Sequence, residues 1–232
     1  MNRAERRRQA KLEKSAGKTV KSVKQAIEDM LQPIVVLLNA QEFDRAEAAL
    51  MELLAAAPDY AEGVHLQGLL FCQTGRQEQG IASLRRATEL MPATALYWNN
   101  LAVAYSRTNR LEEAVEAACK AAELDPAYAD PVQVIVDVSM AQGKLPEAAE
   151  ALQVLAKLKK NDEKVWHQTA QVLLEQKRFA EAEEAYKELL KLAPENFAAM
   201  RELSSIYMNT WRYTEAQELR RKADQLDTTY KF

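Results

Sequence analysis

Cysteine, histidine and glycine are scarce in this 232-residue chain. Two Cys make no disulfide framework. Six Gly and seven Pro beside 48% hydrophobic residues describe an ordered helical protein rather than a linker. Apolar runs such as Ile34–Leu38 fall far short of the roughly 20 residues that a membrane span needs. No hydrophobic core follows the basic start, so no cleavable secretory signal is expected, and Glu5 and Glu13 count against a transit peptide. A cytoplasmic location is the expectation. Also missing are a nucleophile–base–acid set, a phosphate-binding Gly-rich loop and an HExxH pair, so no catalytic role and no cofactor is expected.

What is present is a period. Pro58, Pro92, Pro126 and Pro194 stand 34, 34 and 68 residues apart, and Trp98 and Trp166 stand 68 apart. Six registers fit: 27–60, 61–94, 95–128, 129–162, 163–196 and 197–230. At position 20 of these registers the residues are Ala46, Gly80, Ala114, Ala148, Ala182 and Ala216. A small side chain six times over is what two closely packed antiparallel helices require, since larger ones hold the axes apart. Position 8 is looser: Gly68, Ala102, Ala170 and Ser204 are small, whereas Ile34 and Val136 are not. Each register therefore reads as helix, turn, helix. Gly75-Arg76, Asn109-Arg110 and Gly143-Lys144 supply turns in which Gly or Asn takes the left-handed conformation. Pro131 and Pro146 suit first helical turns. Pro33 falls inside a first helix, where it predicts helix from near Thr19 to Leu31, a bend at Gln32, and helix again through Asn39.

The stretch Ala95–Tyr128 carries Trp98, Leu101, Ala102, Tyr105, Ala114, Ala118, Ala121 and Pro126. In order and spacing it resembles the tetratricopeptide repeat, a Trp-x2-Leu-Gly-x2-Tyr, Ala-x3-Phe, Pro pattern over 34 residues. The resemblance covers 204 of 232 residues and implies an all-α fold, a right-handed α-solenoid of helix-turn-helix units, bacterial in type. It departs from the pattern in repeat 1, with Met30 for Trp, and in repeat 4, with Val132 for Trp and Lys160 for Pro. In repeat 6 Arg220 replaces a large apolar residue, so Arg220, Arg221 and Lys222 read as a polar cap.

In this family the first helices line a concave surface through positions 2, 5, 9 and 12. The resemblance places His65 and Leu69 there from repeat 2, and Asn99 and Val103 from repeat 3. Repeats 4 to 6 add Gln133 and Asp137, His167 and Gln171, and Arg201. Asn100 matches position 6, where O-linked N-acetylglucosamine transferases carry an Asn ladder that holds a peptide backbone. The other five repeats have Gln32, Leu66, Val134, Gln168 and Glu202 there, so no ladder forms. The Asn99 and Asn100 side chains are expected to point away from the packed seam. His65 and His167 are 102 residues apart at the same repeat position. Three repeats separate them by on the order of 30 Å, so no shared metal is expected.

Residues 1–24 hold nine Lys or Arg against two Glu, a formal +7. The whole chain carries −3, so residues 25–232 carry −10. Arg3, Arg6, Arg7, Arg8, Lys11 and Lys14 form the core of this basic arm. Such an arm suits nucleic acid, an anionic membrane surface or an acidic partner, although it has no aromatic to stack on bases. The leading expectation is a non-catalytic scaffold or adaptor that binds a peptide or protein segment in the groove, with no small-molecule substrate. Two alternatives stand beside it. One is a module working with a separately encoded enzyme, such as a SPINDLY-like O-linked N-acetylglucosamine transferase. The other is a nucleic-acid or membrane-surface binder acting through the arm.

Overall fold

A computed structural model describes residues 25–227, and every regular element among them is an α-helix. Helix α1 covers residues 25–39. It is followed by α2 (Phe43–Ala56), α3 (Ala61–Gln73), α4 (Gln77–Leu90), α5 (Ala95–Arg107) and α6 (Leu111–Leu124). Then come α7 (Ala129–Ala141), α8 (Leu145–Leu158), α9 (Glu163–Glu175), α10 (Phe179–Leu192), α11 (Phe197–Asn209) and α12 (Tyr213–Leu226). From α3 onward the odd-numbered helices start 34 residues apart, and so do all six even-numbered ones. The helices pack in consecutive pairs, the α-solenoid arrangement that the spacing implies. The basic arm, residues 1–24, lies outside the described residues, as do residues 228–232.

The chain divides into two compact units, with the divide inside α5 after Ala104. In the first unit, Leu31 and Ile34 of α1 pack with Ala46, Leu50 and Leu53 of α2 and with Leu66 and Leu70 of α3. Val64, Ala87 and Tyr97 form a smaller cluster that joins α3, α4 and α5. In the second unit one continuous core runs from Val132 on α7 through Leu152, Leu173, Tyr186 and Ile206 to Ala216 on α12.

The position-20 residues are the innermost points of each pair. Ala46, Ala114, Ala148 and Ala182 have no exposed surface, Ala216 is buried, and so is Gly80. Gly80 shows why the size limit holds. A methyl group there would lie 2.4 Å from Cys72 Sγ and 3.0 Å from the Gly68 carbonyl oxygen. A second buried column is position 27, with Leu53, Ala87, Ala121, Leu155, Leu189 and Ala223 all fully buried. Position 24 is buried in the first five repeats, as Leu50, Leu84, Ala118, Leu152 and Tyr186, and becomes the exposed Arg220 in the sixth.

All six turns within helix pairs contain one residue of positive φ, always at position 15. Gly75 (82°), Asn109 (60°) and Gly143 (68°) take it as the sequence predicts. Gln41 (59°), Lys177 (57°) and Trp211 (66°) take it too, although nothing in their chemistry favours it. The next residue is a cation in five repeats, and the four arginines among them each hold a carboxylate. Arg76 donates to both carboxylate oxygens of Glu47 at 2.6 and 2.7 Å, and its guanidinium sits 4.3 Å from the Phe71 ring centre. Arg212 reaches both Glu183 and Glu215, and lies 4.0 Å from the Tyr207 ring centre. The hydrogen bonds from Arg76 hold the Glu47 carboxyl below its ordinary range, and those from Arg212 do the same for Glu215.

The two consensus tryptophans each donate to the backbone carbonyl at position 32. Trp98 Nε1 donates to the Pro92 carbonyl at 2.9 Å, and Trp166 Nε1 donates at 2.9 Å to the carbonyl of Lys160, where the proline is absent. The third, Trp211, is 80% exposed and lies perpendicular to the Tyr213 ring, with centres 6.1 Å apart.

One expectation is corrected. Helix α1 runs unbroken through Gln32 and Pro33. Proline costs about 3 kcal/mol inside a helix, but its neighbours Leu31 and Ile34 are 7% and 0% exposed. Burying two such side chains contributes about 1.5–3 kcal/mol each, enough to offset the loss. Asp29 and Pro33 both lie on the exposed side, so water can meet the carbonyl left without a donor.

Candidate interaction face

The residues expected at a groove fall into two groups by burial. In the first unit, His65 and Asn99 are 4% and 5% exposed, so position 5 is closed there. Asn99 therefore does not point away from the packed seam, contrary to the sequence expectation. Position 5 turns toward the neighbouring first helix. There the His65 ring stacks on Tyr97 with centres 4.4 Å apart and planes 23° from parallel. The half-buried Asn100 amide nitrogen lies 2.7 Å from His65 Nε2. Because an amide NH2 can only donate, the geometry makes Nε2 the acceptor and places the His65 proton on Nδ1. Burial pushes the imidazole down to about 4, so it is neutral at physiological pH. Leu69 is half-buried and Val103 is 38% exposed.

In the second unit position 5 is half-buried, and positions 9 and 12 are more open. Gln133 is half-buried and donates to the exposed Asp137 at 2.9 Å, one turn along α7, beside Met140 at 37% exposure. On α9, His167 is half-buried, with its ring edge toward Tyr186 at 6.5 Å, and Gln171 is exposed. On α11, Arg201 is half-buried, while Ser205 and Met208 are exposed. Arg201 donates to Asp224 at 2.9 Å and pairs with Asp227 at 3.0 Å. The face thus presents amides, one carboxylate and two exposed thioethers at helical spacing, a surface suited to a polypeptide with both backbone and apolar groups.

Sequence reasoning missed the row of cations at position 16. A column reading Arg76, Arg110, Lys144, Arg178 and Arg212 was visible, but the pairing of its four arginines with Glu47, Glu113, Glu181 and Glu183 needed coordinates. Among the described residues no group of three or more His, Cys, Asp or Glu could hold a metal ion. Cys119 is an exposed thiol pushed up by partial burial and by Glu123, and Cys72 is buried. No helix among the described residues is long and apolar enough to cross a membrane.

The tetratricopeptide repeat family matches at residues 35–90, 95–128 and 163–196, together more than half of the chain. The chain is a tetratricopeptide repeat protein. No curated protein matches it in sequence. Among solved structures, this repeat protein resembles PilF of Pseudomonas aeruginosa at TM-score 0.64 and 18% identity, over 90% of this chain and 94% of that one. It resembles YrrB, described as a repeat protein with an unusual peptide-binding site, at TM-score 0.60 and 18% identity, over 79% and 94% of the two chains. MamA matches at TM-score 0.55 and 17% identity, over 72% and 91%. At these identities the likeness shows the shared fold. A protein of this repeat family with this architecture falls in the class of protein-interaction scaffolds.

Proposed function

We propose that this chain is a non-catalytic scaffold that binds a peptide or protein segment along the exposed face of α7, α9 and α11. The observation that carries this reading is a run of exposed side chains at positions 9 and 12. Asp137, Met140, Gln171, Ser205 and Met208 are all solvent-exposed on successive first helices. Met140 and Met208 add apolar surface to this face, at 37% and 49% exposure. YrrB, a structural neighbour described as having a peptide-binding site, supports the class of ligand.

Selection of a random peptide library displayed on phage against the full chain provides the test. Peptides so obtained should lose at least tenfold in affinity to Met140→Lys and Gln171→Lys variants. A Glu184→Lys variant on α10, away from this face, should leave binding unchanged. Recovery of no peptide, or binding indifferent to Met140→Lys and Gln171→Lys, would remove the site from this face.

A further inference from the structure

At the far end of this face, α11 and α12 enclose a cleft of about 270 Å³ lined by Arg201, Ser204, Ser205, Met208 and Arg220. The lining holds two guanidinium groups and two hydroxyls, and no carboxylate. Ser204 is spent internally, its hydroxyl donating to the Ala216 carbonyl at 2.8 Å. Arg201 is partly spent, since one of its terminal nitrogens serves both Asp224 and Asp227. That leaves its remaining guanidinium donors for another acceptor. The Arg220 guanidinium has no hydrogen-bond or ion-pair partner among the described residues, and neither does the Ser205 hydroxyl.

Arg220 also stands in an unusual place. Position 24 is a buried apolar or aromatic side chain in the five preceding repeats. A solvating cap needs only that this residue be polar. It does not need a second arginine, a free hydroxyl and a methionine thioether gathered round one hollow. Arg201, Ser205 and Met208 occupy positions 5, 9 and 12 of α11, the same stripe as the proposed peptide face, so the cleft is continuous with it.

We infer that this cleft is a subsite for a carboxylate side chain of the bound segment, with the Arg220 guanidinium and the Ser205 hydroxyl as donors and Met208 against the adjoining methylenes. The inference rests on the peptide-binding reading of the face. Guanidinium presents paired N–H donors matched to the two oxygens of a carboxylate, which makes Arg220 the anchor. Arg201 acts as a second cation whose strength is held down by Asp224 and Asp227. An acidic segment is therefore favoured over a basic one at this end of the face.

The test uses the full chain and two capped peptides, tetraglutamate and tetraglutamine, with side-chain Nε–Hε signals of the arginines followed by NMR. Tetraglutamate should shift Arg220 and Arg201 saturably at moderate salt, with Arg221 moving little, and tetraglutamine should shift none of them. Arg220→Gln should weaken tetraglutamate binding about tenfold and Ser205→Ala about threefold, while both variants melt like the parent. Asp224→Asn should strengthen binding, because it frees Arg201. Equal shifts of Arg221, indifference to Arg220→Gln, or a response to inorganic phosphate but not to tetraglutamate would each overturn the subsite. Failure here leaves the phage-selected peptides and the Met140→Lys and Gln171→Lys results standing. Loss of those with tetraglutamate still bound would remove the face and keep the cleft.

Discussion

Acidification should unfasten the first unit through one imidazole. His65 is 4% exposed, and burial pushes it down to about 4 from an ordinary 6.5. Its folded value lies below its unfolded value, so the unfolded chain binds the extra proton first as pH falls. The contribution is whole above pH 6.5 and is lost as pH drops toward 4. A displacement of about 2.5 units corresponds to about 3 kcal/mol in all, of which about 2 kcal/mol is gone by pH 5. Protonation would also put a hydrogen on Nε2, where the Asn100 amide now donates, so the amide would have to turn its oxygen toward the ring to keep the contact. Carboxylates held low by arginine, such as Glu47 beside Arg76, are common to parent and variant and cancel in the comparison below. Urea unfolding of the parent and of His65→Phe between pH 7.5 and 4.5 isolates the effect, because phenylalanine keeps the stack on Tyr97 and cannot titrate. Hydrogen exchange in α3 should report the same loss locally. Parallel stability curves for the two proteins across this range would refute the argument.

Three further outcomes follow from packing and backbone geometry. Gly80→Ala, which sets a methyl against Cys72 and the Gly68 carbonyl, should destabilise by about 1–3 kcal/mol in thermal unfolding, as should Ala182→Leu. Gly75→Ala meets no atom within 4 Å and strains only a φ of 82°, so about 1 kcal/mol is expected. Trp211→Asn should raise the melting temperature slightly, because asparagine tolerates the left-handed region and the exposed indole contributes little packing; a fall of several degrees would show that the Trp211–Tyr213 contact matters more than its exposure suggests.

The fold was legible because proline and tryptophan mark the period and small residues mark each crossing. Once Pro58, Pro92 and Pro126 set the register, the buried columns at positions 20 and 27 follow from chain geometry. Turns were readable only where the side chain advertises a left-handed backbone, as Gly75, Asn109 and Gly143 do. Gln41, Lys177 and Trp211 adopt it because the helices on either side dictate it. Pro33 misled because a local rule about hydrogen bonds was outweighed by burial of its neighbours. The proposed interaction face was legible as a set of positions but not as a pattern of exposure. Whether position 5 is closed depends on what the adjacent helix offers: Tyr97 stacks over His65, whereas Arg201 turns outward to Asp224.

The three tryptophans have a practical consequence for watching this protein in solution. Trp98 is tied to a carbonyl in the first unit, Trp166 to one in the second, and Trp211 stands in water three residues after Met208 at the cleft. Each is a natural fluorophore with its own surroundings. Replacing two at a time with phenylalanine would yield three emission channels, one for each half of the chain and one for its far end. Loosening of one half would then register separately from the other, and occupation of the cleft would register as a change in the most solvent-relaxed of the three spectra.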